Sequence, residues 1–225
     1  MKTAPTSIDE LMARCRLLEG LSFGQLAKKL GYSIPELQLR RKGWMGMLVE
    51  MALGADAKTL PSPDFKQLQI ELKTLPLDKQ GKPCESTFVT SIPLLTIGQE
   101  SWQSSSVYEK LKQVLWLPIE GDRVISYANR RIGQAILWSP DESQLAQLKQ
   151  DWMELVELIQ LGQLESIDAT MGTFLQVRPK AANGKSLCDG YDVYGNKIKT
   201  LPRGFYLRTS FTQQVLQNQY LCHTE

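Results

Sequence analysis

The stretch DFKQLQIELKTLP, residues 64–76, decides how this chain is read. From Ile70 onward apolar and polar residues alternate, so a β-strand here sends Ile70 and Leu72 to one face and Glu71 and Lys73 to the other. Two readings of the charged face are open. One is a solvated sheet surface with a turn aspartate and a cross-strand ion pair. The other is a metal-dependent nuclease centre built from Asp64, Glu71 and Lys73. Fully extended, the chain would hold Asp64 and Glu71 roughly 23 Å apart, at about 3.3 Å per residue. Two carboxylates sharing Mg²⁺ must each approach it to about 2.1 Å. The second reading therefore requires the chain to reverse around residues 66–69.

The residue types suit that chemistry. Paired carboxylates offer hard oxygen ligands to Mg²⁺, which activates a bound water and stabilises charge on a phosphate. A neighbouring ammonium can orient the water or neutralise the scissile phosphate. The pattern itself is loose, however. An aspartate followed at a variable gap by acid-x-lysine arises by chance about once in a chain of this size. Spacing alone leaves both readings open.

Composition narrows the field. With 225 residues, 42% hydrophobic and 22% charged, the chain is long enough for one substantial globular domain or one core split into two lobes. The one histidine, His223, lies near the C-terminus, which argues against a Ser-His-Asp triad, a Cys-His pair or a histidine-ligated zinc. Cys15, Cys84, Cys188 and Cys222 form no C-x-x-C pair and read as reduced thiols. Apolar runs such as VLWLPI (114–119) are too short to span a bilayer, and the N-terminus lacks the apolar core of a secretory signal. A cytoplasmic protein without membrane attachment is expected. A net charge of +2 predicts weak grip on DNA of arbitrary sequence.

Helices open the chain. Ser7 and Glu10, then Ser22 and Gln25, stand in capping-box spacing, and Gly31 ends the second helix. In GWMGMLVEMALG, Trp44, Leu48 and Met51 form a stripe, with Glu50 on the flank shared with Met47. QIELKTL, STFVTSIPLL, KQVLWLPI, RVISYA and QAILW read as strands. A long helix follows, with Ser139 as cap, Pro140 first and Glu142 completing the box; Leu145, Leu148, Trp152, Leu155 and Ile159 form its stripe. GTFLQVRP and RGFYLR are strands separated by a polar loop, KAANGKSLCDGYDVYGNK, and SFTQQVLQNQYL closes the chain as a helix. The order predicts an α/β fold, a mixed sheet flanked by helices.

Six segments decide between the readings of residues 64–76. RKGWMGMLVEMALGA (41–55), DFKQLQIELKTLPL (64–77), TFVTSIPL (87–94), KLKQVLWLPIEG (110–121), VRPKAAN (177–183) and LPRGFYLR (201–208) together resemble the MutH family of mismatch-repair endonucleases, in order and over essentially the whole chain. The resemblance implies a restriction endonuclease-like fold, with residues 1–225 forming one endonuclease domain of two lobes around a DNA cleft. It further implies a Mg²⁺-dependent enzyme that nicks the unmethylated strand of hemimethylated GATC 5′ of the guanine, activated by MutL once MutS has found a mismatch.

Carried over by position, Asp64 and Glu71 would ligate the metal, with the Leu72 carbonyl assisting. Lys73 would orient the attacking water or stabilise the phosphate, Glu50 would help hold metal or water, and Lys110 would meet a phosphate. Lys42, Phe88, Arg178, Pro179, Lys180 and Tyr206 match DNA-contacting positions, Tyr206 near the adenine amino group. Arginine can grip guanine O6 and N7 bidentately, and the Pro179 carbonyl can accept from adenine N6. Double-stranded DNA containing GATC is thus the expected partner, and a monomer in solution the expected state. Two alternatives stand: a stand-alone GATC restriction enzyme cutting both strands, and a GATC-binding regulatory module without catalysis.

Overall fold

Side-chain caps fix where several helices begin. Ser22 accepts from the Gln25 N–H while the Gln25 side chain accepts from Ser22 N–H, and Gly31 ends that helix in the left-handed conformation, as the spacing predicts. The structure, a computed structural model, describes residues 2–34, 38–57, 62–180 and 186–221; side chains of 38–42 and 218–221, and all of Cys222 and His223, lie outside the described set. In chain order its elements are α1 (Ile8–Arg16), α2 (Phe23–Leu30), α3 (Gln38–Leu53), β1 (Glu71–Leu77), β2 (Thr87–Ser91), α4 (Ser106–Leu111), β3 (Val114–Glu120), β4 (Ile136–Trp138), α5 (Glu142–Gln160), β5 (Leu175–Pro179), β6 (Cys188–Tyr191), β7 (Lys197–Thr200), β8 (Arg203–Leu207) and α6 (Thr209–Leu221). None of the described helices is long and apolar enough to cross a membrane.

Two units compose the chain. The first takes residues 1–85 and 112–139, and the second residues 86–111 and 140–225. In the first, β1 runs parallel to β3, and β4 pairs antiparallel on the other side of β3. Leu72 of β1 and Leu115, Leu117 and Ile119 of β3 send one face into a core shared with α1, α2 and α3. Trp44, Met45, Leu48, Val49, Ala52 and Leu53 carry α3 into that core, leaving Met47 and Glu50 on its exposed side. β3 is buried from Val114 to Ile119, on both faces, which explains its unbroken apolar run.

In the second unit β2, β8 and β5 form an antiparallel sheet in that order, and β6 and β7 form a separate hairpin. Leu175 and Val177 of β5 pair with Leu207 and Phe205 of β8, and all four are buried. α5 presents Leu148, Trp152, Leu155 and Ile159 to the interior, while α6 buries Phe211, Val215 and Leu216, with Phe211 stacked on Phe174 at 4.2 Å.

Four local expectations are corrected. RVISYA is not a strand: the Asp122 carboxylate accepts from Val124 N–H (3.0 Å), and the Arg130 guanidinium donates to the carbonyls of Asp122 (3.1 Å) and Ile125 (3.3 Å), folding the segment into turns. The cap of α5 is Asp141 with Gln144, two residues later than Ser139 with Glu142. At α1, Ser7 caps Glu10 N–H, but the Glu10 carboxylate accepts from Thr6 N–H (2.8 Å), so the box is half made. The polar loop contains β6 and the turn that leads into β7, fixed by the Asp192 carboxylate accepting from Tyr194 and Asn196 N–H.

Candidate functional site

The chain reverses where the nuclease reading requires it. Phe65 N–H donates to the Ile70 carbonyl at 2.9 Å and Ile70 N–H returns a bond to Phe65 at 3.3 Å. Gln69 closes the turn at φ 57, the positive-φ conformation L-residues avoid, and its side-chain amide donates to the Lys66 carbonyl at 2.6 Å. The reversal brings Asp64 back onto the strand, where its Oδ2 accepts from Leu72 N–H at 2.9 Å. Behind it, the Asp64 carbonyl accepts from Asp56 and Ala57 N–H (2.9 and 3.2 Å), and the Asp56 carboxylate accepts from Lys66 N–H at 3.0 Å. The segment leaving α3 thus fixes the position of Asp64.

Glu71 does not sit on a solvated face. It opens β1 beside Val114, its N–H donates to the Gln113 carbonyl at 3.0 Å, and it is only 2% exposed. Lys73 shares its face, opposite Trp116, and donates from Nζ to Glu71 Oε1 at 2.6 Å. A carboxylate this buried persists only when paired. Glu50 projects from the exposed side of α3, but its carboxyl is partly desolvated by its neighbours: that desolvation first, then Asp64 and Glu71, raise its pKa above the ordinary carboxylate value, with Lys73 opposing.

Glu71 pairs with the Lys73 ammonium, and Glu50 feels Asp64 and Glu71 beside it, a local excess of negative charge that a divalent cation would offset. Among the described residues no group of three or more His, Cys, Asp or Glu side chains is placed to hold a metal ion. Hard carboxylate oxygens in an open arrangement suit Mg²⁺, which keeps several of its waters, better than they suit a metal held in an all-protein cage.

Lys110 belongs to the second unit, half-buried in the last turn of α4. The Glu100 carboxylate accepts from Ser106 N–H at the start of that helix, and burial raises its pKa.

Of the remaining expected residues of the second unit, Phe88, Arg178 and Tyr206 share one sheet face, while Pro179, paired with Arg203, falls on the other. Phe88 pairs with Tyr206, Gln176 pairs with Tyr206 from the other side, and Arg178 pairs with Gly204. The Phe88 and Tyr206 rings meet edge-on at 5.3 Å. Gly204 gives the Phe88 ring its place, since a Cβ there would come within 2.8 Å of it. Lys180 Nζ stands 3.7 Å from the Phe88 ring centroid and donates to Ser91 Oγ at 3.0 Å, while Arg178 Nη1 donates to Ser86 Oγ at 2.9 Å. Arg178, Pro179 and Lys180 are exposed, Phe88 and Tyr206 half-buried. The backbone of Lys42 lies in α3, but its side chain is outside the described set.

Sequence reading missed the residues that hold these groups: Asp56 behind Asp64, Ser86 and Ser91 beside the basic pair, and Asp151 on the buried face of α5. Asp151 left a signal, for it falls on the same helix face as Leu148, Trp152 and Leu155, where a charge is out of place unless paired. The serines left none.

A turn aspartate and a strand acid-x-lysine, carried on a mixed sheet flanked by helices, have the form of a restriction endonuclease-like nuclease. A family model described as "DNA mismatch repair enzyme MutH" matches residues 53–151. Proteins named DNA mismatch repair protein MutH are similar over nearly the whole chain: 50% identity with that of Vibrio cholerae over 98% of this chain and all of the relative, and 49% with that of Vibrio campbellii over 98% of each. The protein of that name from Klebsiella pneumoniae is 48% identical over 98% of this chain and 96% of its own. The chain belongs to the MutH family of DNA mismatch repair endonucleases, which has the restriction endonuclease-like fold. Its place is in DNA mismatch repair, with DNA and other repair proteins as partners.

Proposed function

We propose that this protein is a Mg²⁺-dependent endonuclease that nicks the unmethylated strand of hemimethylated GATC 5′ of the guanine, and that MutL activates it after MutS has found a mismatch. The observation that supports this most is the reversal at Lys66–Gln69, which gathers Asp64, Glu71 and Lys73 around the first residues of one strand. The two units act as one endonuclease, the first cutting and the second reading the duplex, in a protein that is monomeric in solution and cytoplasmic.

Asp64, Glu71 and the Leu72 carbonyl would hold Mg²⁺. When bound, the ion lowers the pKa of a coordinated water and offsets charge on the scissile phosphate. Lys73 is held by Glu71 at 2.6 Å and would orient the attacking water or meet the phosphate. Glu50, whose pKa is raised, keeps its proton to higher pH than an ordinary glutamate and would position water at the rim of the carboxylate pair. Lys110 would meet a phosphate.

Arg178 and Lys180 would enter the groove at GATC, with the Pro179 carbonyl toward the adenine amino group and Tyr206 beside it, where a methyl group replaces a donor hydrogen. Phe88 and Lys42 would contact the DNA nearby. Double-stranded DNA containing GATC is the substrate. The near-balanced charge suits an enzyme that holds random DNA weakly until its activator arrives.

Strand-labelled duplexes with one GATC, unmethylated, hemimethylated or fully methylated, incubated with Mg²⁺ and with or without MutL and ATP, test this. The proposal requires a MutL-stimulated nick confined to the unmethylated strand. Double-strand cleavage without MutL would establish a stand-alone restriction enzyme instead, and binding without cleavage a regulatory module.

A further inference from the structure

We infer that Asp151 and Arg208 are positioning residues for base recognition; the inference rests on the reading of β5 and β8 as the recognition strands. Asp151 is 1% exposed on α5, and its carboxylate accepts four hydrogen bonds. Oδ1 accepts from Thr173 N–H (2.9 Å) and Gln147 Nε2 (2.8 Å), and Oδ2 from Phe174 N–H (2.6 Å) and Leu175 N–H (2.8 Å). Arg208 holds the same segment by its carbonyls. Its Nε donates to Gly172 (2.8 Å) and its Nη2 to Ala169 (2.6 Å) and Met171 (2.8 Å), while its backbone N–H donates to Phe174 at 2.9 Å. Residues 169–175 are thus gripped by a carboxylate on their amides and a guanidinium on their carbonyls. Gly172, at φ 77, makes the turn between the two grips.

The clamp ends where β5 begins, and β5 needs it. β5 lies at the edge of its sheet, paired with β8 alone, so its register is fixed from one side. At its far end the nitrogen of Pro179 faces the open edge, and Lys180 N–H closes the ladder on the Pro202 carbonyl at 2.7 Å. Arg178, Pro179 and Lys180 therefore lie at the end of an edge strand that only β8 holds. A slip of one residue would turn Arg178 from the face it shares with Tyr206 to the core face of Val177. Fixing the amides of residues 173–175 from α5 sets the register from the other end. Arg208 follows Tyr206 by two residues, so the clamp also aligns Tyr206 with β5.

The test is competition binding with the full-length protein. A labelled GATC duplex is displaced by the same duplex unlabelled, or by one with a single GATC base pair changed. The wild type should prefer GATC by roughly tenfold or more. Asp151→Asn places an amide NH₂ against backbone donors; Arg208→Lys keeps the charge and loses the fork, and decides alone should Asp151→Asn fail to fold. The preference should fall at least about threefold in each folded variant, with affinity for the altered duplex unchanged. A merely structural role would lower the folded fraction, weaken both duplexes alike and keep the ratio; that result overturns the inference. A wild-type ratio of one would overturn the recognition reading itself, and the inference with it.

Discussion

At Glu50 the pH dependence has a definite sign. Its folded-state pKa is raised, by desolvation and then by Asp64 and Glu71, so folding favours the protonated side chain. That contribution to stability is present below the ordinary glutamate pKa and lost as pH rises through the raised one, leaving the ionised form working against the fold at neutral pH. Glu50→Gln should therefore melt at a higher temperature than wild type at neutral pH without divalent ions, with the gap closing toward about pH 4. A wild type that melts higher at neutral pH would contradict this placement of Glu50. Lys73→Ala has the opposite sign, since it removes the ammonium from a carboxylate that is 2% exposed. It should cost about 3 kcal/mol, the lower end for breaking a buried pair, and Mg²⁺ should restore more stability to it than to wild type in thermal melts. The types and spacing of Asp64, Glu71 and Lys73 were legible in the sequence. The burial of Glu71 was not, because alternation along a strand distinguishes two faces without telling which one another layer covers.

Among the elements, the reversal at 66–69 carries most. Gln69 takes a positive φ that a glycine would adopt without strain and a β-branched residue only at a cost. Gln69→Gly should keep both fold and nicking. Gln69→Val should be less stable than the glycine variant by about 1–3 kcal/mol and should lose activity as Asp64 leaves Leu72 N–H, which denaturant titration and a nicking assay would show together. Helices with strong amphipathic stripes were read correctly because a local signal fixed them. RVISYA failed because its alternation was overridden by Arg130 bonding to the carbonyls of Asp122 and Ile125, a contact from outside the segment. Asp141 displaced Ser139 as cap because two capping pairs stand two residues apart and only packing of the α5 stripe chooses between them.

For the whole molecule, the resemblance over the full chain carried the function where the loose acidic pattern could not, and relatives of 48–50% identity agree on the family. Residues that only hold others in place, such as Asp56, Ser86 and Ser91, stayed illegible because their partners are distant in sequence and their types are ordinary. The central claim is that the β1 carboxylate pair cuts DNA. It is tested most directly by comparing wild type with Glu71→Gln on a strand-labelled hemimethylated GATC duplex, with Mg²⁺, MutL and ATP. The account predicts that Glu71→Gln still folds and binds the duplex but nicks the unmethylated strand at least about 100-fold more slowly. Nicking by the folded variant at the wild-type rate would contradict it.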